Sequence, residues 1–201
     1  MAVKTHSWIS LWFLLTVPVI AWDVGYCFMR PRSMRGGDWH WLWKPYSLYQ
    51  DPGPERRTLI DVRVARPSIW QRLYQRSMYD IFHSFASSPS DSQPALLNVI
   101  ETLLNITYLY FAHVAAWPPA TLIGFASANL TLAKTVLYWL QEYYCGFCGI
   151  GHNSASTLFI YWIIPNGLWI VVPAIIVARL GKDLAQSLNF AAKASVTKKQ
   201  K

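Results

Sequence analysis

Three ionisable side chains stand where long apolar runs should carry none: Asp23, Glu101 and Lys134. A charge in hydrocarbon costs on the order of 2.5 kcal/mol or more, so such residues face a protein interior and mark function. A carboxyl held in an apolar interior without a cation favours its protonated form, which is the form a general acid requires. The competing reading is that Lys134 neutralises one of the two carboxyls and makes it interhelical glue. Aromatic and polar side chains accompany these groups. Trp22 and Tyr26 flank Asp23, and Glu101 shares a helical face with Asn105 and Tyr108 at i, i+4 and i+7. The same spacing relates Thr131, Thr135 and Tyr138, and then Trp162, Asn166 and Trp169. Taken singly, the Asn, Thr and Tyr positions read equally well as hydrogen-bond glue between helices. Taken together, an acid beside tryptophan and tyrosine faces suits carbocation chemistry on a lipophilic substrate, because those faces attract a cation.

The elements that must position these residues are membrane helices. Of 201 residues, 53% are apolar and only 14% charged, and the chain holds 11 Trp and 11 Tyr. Lys and Arg gather between residues 30 and 76 and after Arg179, the segregation that membrane proteins show. Apolar runs long enough to span occupy residues 7–29, 95–117, 120–144 and 157–179. Arg30-Pro31-Arg32 stops the first, Ser92-Gln93-Pro94 precedes the second, Pro118-Pro119 separates the second and third, and a glycine-rich turn from Cys145 to Gly151 closes the third. The expected fold is an all-α membrane protein: a four-transmembrane-helix bundle over residues 1–185, a long polar loop over 30–94 between helices 1 and 2, and a basic cytosolic tail over 186–201. Within the loop, Asp38 to Lys44 is rich in Trp and fits the headgroup level, and 67–85 has the spacing of an amphipathic helix lying on the membrane.

Several other functions lose their footing. The net charge of +8 has no basic stripe interleaved with exposed aromatics, so nucleic acid is not an expected partner and lipid headgroups are. Cys145 and Cys148 form a C-x-x-C with His152 nearby but no fourth ligand, so neither a metal nor a cofactor is expected. Bulky residues and Arg30 follow the first apolar run in place of a small-x-small site, which makes it an uncleaved helix. The sequons at Asn105 and Asn129 lie inside spans and are expected to stay unglycosylated, and His113 reads as an interfacial structural residue. The lysine-rich end favours a cytosolic C-terminus, and Lys198-Lys199-Gln200-Lys201 has the form of a dilysine retrieval signal of the endoplasmic reticulum. A homodimer is compatible with all of this.

The run Pro165-Asn166-Gly167-Leu168-Trp169-Ile170-Val171-Val172-Pro173, with Glu101-Thr102, Val136-Leu137-Tyr138-Trp139-Leu140 with Glu142, and Leu42-Trp43-Lys44-Pro45-Tyr46, resembles the emopamil-binding protein family and its EXPERA domain. The resemblance implies a membrane cavity for sterols or cationic amphiphiles, in which Glu101, Asn166 and Trp169 match lining residues and Asp23 replaces a glutamate. Val19 stands where the family carries a histidine, which shifts the expected activity away from moving a sterol double bond from C8 to C7. The first expectation is an acid-catalysed isomerase or cyclase of the fungal terpene-cyclase kind. It would protonate an olefin or epoxide of a prenyl chain, with Asp23 and Glu101 catalytic and Trp22, Tyr26, Asn105, Tyr108, Tyr138, Trp162, Asn166 and Trp169 lining the substrate. A sterol isomerase and a nonenzymatic sterol-binding protein like the sigma-2 receptor branch are the alternatives.

Overall fold

A computed structural model describes residues 5–49 apart from Pro31 and Arg35, and 92–199 apart from Cys145, Cys148 and Gly149. The C-x-x-C cysteines and the proposed interfacial helix at 67–85 lie outside these residues. Among the described residues every regular element is helical: α1 (Ser7–Phe28), a 3₁₀ segment (His40–Tyr49), α2 (Ser92–His113), α3 (Ala120–Tyr144), α4 (Ala155–Leu158), a π turn (Phe159–Ile163) and α5 (Ile164–Lys199). Among the described residues three helices are long and apolar enough to cross a membrane: Ser7–Phe28, Ala120–Tyr144, and the continuous helix Ala155–Ser195 that contains α4, the π turn and most of α5. At 22 residues α2 matches α1 in length, but Asn98, Glu101 and Asn105 dilute its apolar character.

Two helix ends do not coincide with the ends of the expected spans. The second helix ends at His113 rather than at 117, because the residue before Pro118 is disfavoured in the α region. Ala116 takes a left-handed conformation in the turn that results. The last helix does not stop at 179. It continues to Lys199, since the stretch after Gly181 is rich in Ala, Leu, Lys and Ser and contains no further glycine or proline.

The chain divides into two compact units. The first comprises Met1–Ala21, Val99–Lys134 and Leu168–Lys201. Its apolar core joins Ile9 and Phe13 of α1, Tyr108 and Ala112 of α2, Ala120 and Ala128 of α3, and Ile176 and Leu180 of α5. The small residues Ala120, Gly124 and Ala128 fall one turn apart, the spacing that lets membrane helices approach closely. A Cβ on Gly124 would sit 2.7 Å from the Tyr108 ring, so that ring occupies the space the glycine leaves. Polarity here is inverted relative to a water-soluble core. Ser10 and Thr16 are buried, while Leu11, Leu14 and Leu15 are exposed, with Leu14 at 59%. That arrangement suits a lipid surround.

The second unit comprises Trp22–Asn98 and Thr135–Gly167. Ser33 donates from Oγ to the Tyr26 carbonyl, and Gly36 turns the chain with φ +90° into the 3₁₀ segment. Trp43 is buried there, with its indole N–H on the Trp22 carbonyl at 2.9 Å. A second small cluster packs Ile150 and Trp162 with Trp139 and Leu158.

Candidate functional sites

In the first unit the in-helix spacing of α2 and α3 brings polar groups into register. Glu101, 1% exposed, receives the Thr131 hydroxyl on Oε1 at 2.6 Å and the Lys134 ammonium on Oε2 at 2.6 Å. Lys134 is one turn beyond Thr131 on α3, so one carboxylate engages both. One turn from Glu101, the Asn105 carbonyl accepts from Ser127 Oγ at 2.5 Å, and its Nδ2 donates to Thr16 Oγ1 at 3.3 Å. Farther along, His113 Nε2 meets Ser10 Oγ at 2.8 Å, and His6 Nε2 lies 2.7 Å from buried Asp183 with Arg179 Nε directed at the same ring nitrogen. Several levels of the interior therefore carry paired polar groups, which suits a lipid-embedded bundle. Of the two carboxyls, it is Glu101 that Lys134 meets.

In the second unit Asp23 is held differently. Tyr46 donates its hydroxyl to Oδ1 at 2.5 Å, and Asn98 donates from Nδ2 to Oδ2. Both donors are neutral, and among the described residues Asp23 forms no ion pair. Aromatic rings surround the carboxyl's partners: Tyr46 stacks on Tyr26 at 4.4 Å and meets the edge of Trp22 at 5.2 Å, and Tyr26 lies 6.5 Å from Trp43. The Arg30 guanidinium sits over Tyr26, 4.9 Å from its centroid. At the exposed start of the loop, Arg32 is bonded to Asp38 through both Nε and Nη2, and this holds the Asp38 carboxyl below its usual range.

The expected site residues thus fall into separate groups. Trp22 and Tyr26 accompany Asp23, and Asn105 belongs to the layer beside Glu101. Tyr108 packs on Phe13 at 4.8 Å, and Trp169 on Trp12 at 5.2 Å. Trp162 pairs with Trp139 at 4.4 Å while Asn166 donates to the Trp162 carbonyl. Tyr138 stands 38% exposed on α3. Tyr46, Trp43 and Asn98 were not among the expected site residues, although Trp43 and Tyr46 stand in the run Leu42–Tyr46 that carries part of the family resemblance. Asn98 lies three residues before Glu101 on the polar face of α2 and was open to detection by that spacing. No periodicity points from the loop residues Trp43 and Tyr46 to Asp23.

The class these features define, among the described residues, is an all-helical protein with three membrane-length apolar helices and buried polar layers, compatible with a multi-pass membrane protein. No family model matches the chain, and neither a curated protein nor a solved structure matches it.

Proposed function

We propose that the chain is a four-span membrane protein of the endoplasmic reticulum, with α2 as the fourth span and a cytosolic C-terminus, and that it carries out acid-initiated isomerisation or cyclisation of a lipophilic isoprenoid. The observation that carries this reading is the contrast between the two carboxyls. Glu101 is neutralised by Lys134, whereas among the described residues Asp23 has the neutral donors Tyr46 and Asn98, and Tyr46 packs on the Trp22 and Tyr26 rings. In the proposed step the Asp23 carboxyl transfers its proton to an alkene or epoxide of a prenyl chain. A bond from the substrate's π electrons or epoxide oxygen to that proton forms as the carboxyl O–H breaks. Tyr46 and Asn98 then stabilise the carboxylate left behind, and the Trp22 ring stabilises the carbocation until an internal nucleophile adds to it or it loses a proton back to the Asp23 carboxylate. The resemblance to the emopamil-binding family supports a sterol or prenyl guest. A cyclase needs only this one acid, which favours it over a sterol isomerase. A nonenzymatic sterol-binding role is favoured by the same two hydrogen bonds, because Tyr46 and Asn98 already occupy both carboxyl oxygens.

The test is to give purified, reconstituted protein sterols and prenyl epoxides and to analyse products by mass spectrometry. Turnover that disappears in Asp23→Asn and persists in Glu101→Gln supports the assignment. Turnover that survives Asp23→Asn refutes it, and saturable sterol binding without turnover selects the binding role.

A further inference from the structure

The 3₁₀ segment lies against the one carboxyl that the proposed chemistry needs. Tyr46 and Asn98 occupy both Asp23 oxygens, so a guest reaches the carboxyl only if one of these donors moves. Asn98 is fixed within α2. Tyr46 belongs to the short segment His40–Tyr49, whose 3₁₀ hydrogen bonds are poorer in geometry than those of an α-helix. The movable donor is therefore Tyr46.

Two side chains fix that segment on α1. Trp43 and Tyr46 stand three residues apart, the repeat of a 3₁₀ turn, and both turn inward. Trp43 is 3% exposed: its indole N–H donates to the Trp22 carbonyl at 2.9 Å, and its ring lies against Gly25, where a Cβ would come within 3.2 Å of Cζ2. Tyr46 stacks on Tyr26 and meets Trp22 edge-on. All of these contacts fall between Trp22 and Tyr26, the turn of α1 that carries Asp23. The outer face of the segment is uncovered, since Trp41 is 75% exposed and Leu42, Lys44 and Pro45 are exposed with it. A single layer of chain thus covers this side of Asp23.

The chain that leads into the segment has the form of a hinge. Gly36 takes φ +90°, a conformation other residues rarely adopt, and a Cβ on Gly37 would fall 2.2 Å from the Arg32 carbonyl oxygen. Two glycines thus let the chain double back, with the Trp39 N–H on that same Arg32 carbonyl and the Gly37 N–H on the Met34 carbonyl. Hinges concentrate their φ/ψ change in a few loop positions of this kind. Trp43 is the part that must let go, because its ring and its N–H hold the segment to α1.

We propose that the segment His40–Tyr49 is a gate over Asp23, hinged at Gly36 and Gly37 and latched by Trp43 against Gly25, which swings Tyr46 off the carboxyl to admit a lipophilic guest and then closes again. The gate rests on the acid reading of Asp23 and adds to it the element that controls access.

The experiment follows modification of Asp23 by dicyclohexylcarbodiimide, a lipophilic reagent that takes up the proton of a carboxylic acid and joins its oxygen to the carbodiimide carbon. Protein in nanodiscs is treated and read by peptide mass spectrometry. Wild type, Trp43→Ala and Gly25→Val are compared, the valine displacing the Trp43 ring while the segment keeps its own sequence. In wild type Asp23 is expected to react slowly but to completion through transient opening, while Glu101, paired with Lys134, stays unmodified. Both variants lose the latch and are expected to react at Asp23 about tenfold faster or more, the factor that one hydrogen bond carries, with Glu101 still unmodified. Equal rates in all three overturn the gate and leave the acid reading standing. Reaction confined to the variants makes the segment a fixed plug and also overturns the gate. Glu101 reacting along with Asp23 in both variants makes Trp43 a support of the whole fold, which overturns it too. If Asp23 reacts in none of the three, the acid reading falls and the gate with it.

Discussion

Replacing Lys134 with methionine removes the cation that meets Glu101 and leaves a carboxylate that is 1% exposed with the Thr131 hydroxyl on its other oxygen. Methionine matches the length and volume of the lysine stem, so little packing is lost. The electrostatic consequence dominates, because breaking a buried pair from one side costs about 3–5 kcal/mol. Glu101→Gln alone strands the ammonium of Lys134, whose side chain is 10% exposed, and incurs a comparable cost. The double variant removes both charges, and replacement of a buried pair by neutral groups is often close to neutral, so its cost is expected to be at most about 1 kcal/mol. A double-mutant cycle in reconstituted bilayers, read by denaturant unfolding, gives a coupling energy expected to be about 5 kcal/mol or more. Additive single effects, or a Lys134→Met cost below about 1 kcal/mol, would refute the claim that this ion pair holds α2 against α3.

Other outcomes follow from the same geometry. Gly124→Ala places a methyl 2.7 Å from the Tyr108 ring and 3.2 Å from Leu180, and overpacking of this kind is expected to cost about 1–3 kcal/mol by unfolding; an unchanged midpoint contradicts the packing described. On the proposed acid role of Asp23, Tyr46→Phe removes one of its two described donors and is expected to lower any turnover of the prenyl substrates about tenfold, the weight of roughly 1.4 kcal/mol in the transition state, as read from initial rates. The Arg32–Asp38 pair sets a pH dependence at the loop. Because the folded Asp38 carboxyl is depressed, the pairing is present above the unfolded carboxylate range and is lost as pH falls through the lower folded value. Carboxyl NMR titration is expected to show a lower midpoint for Asp38 in wild type than in Arg32→Ala, and equal midpoints count against the pairing.

The amino-acid sequence by itself determined the helical, membrane-compatible class and three of the apolar helices, because hydrophobic runs near 20 residues and proline or glycine boundaries are local signals. It also singled out Asp23, Glu101 and Lys134, since a charge within an apolar run is conspicuous without knowledge of the fold. It did not mark where the helices themselves end, at His113 and Lys199, because helix ends answer to backbone sterics and propensity rather than to hydropathy. Which carboxyl Lys134 would neutralise was settled by tertiary structure alone. The answer depends on the register of α2 against α3, and that register is decided by packing of small and large side chains such as Gly124 and Tyr108. Tyr46, Trp43 and Asn98 likewise reach the Asp23 site across 75 residues or fewer of chain with no periodic signature, so only the folded chain brings them together.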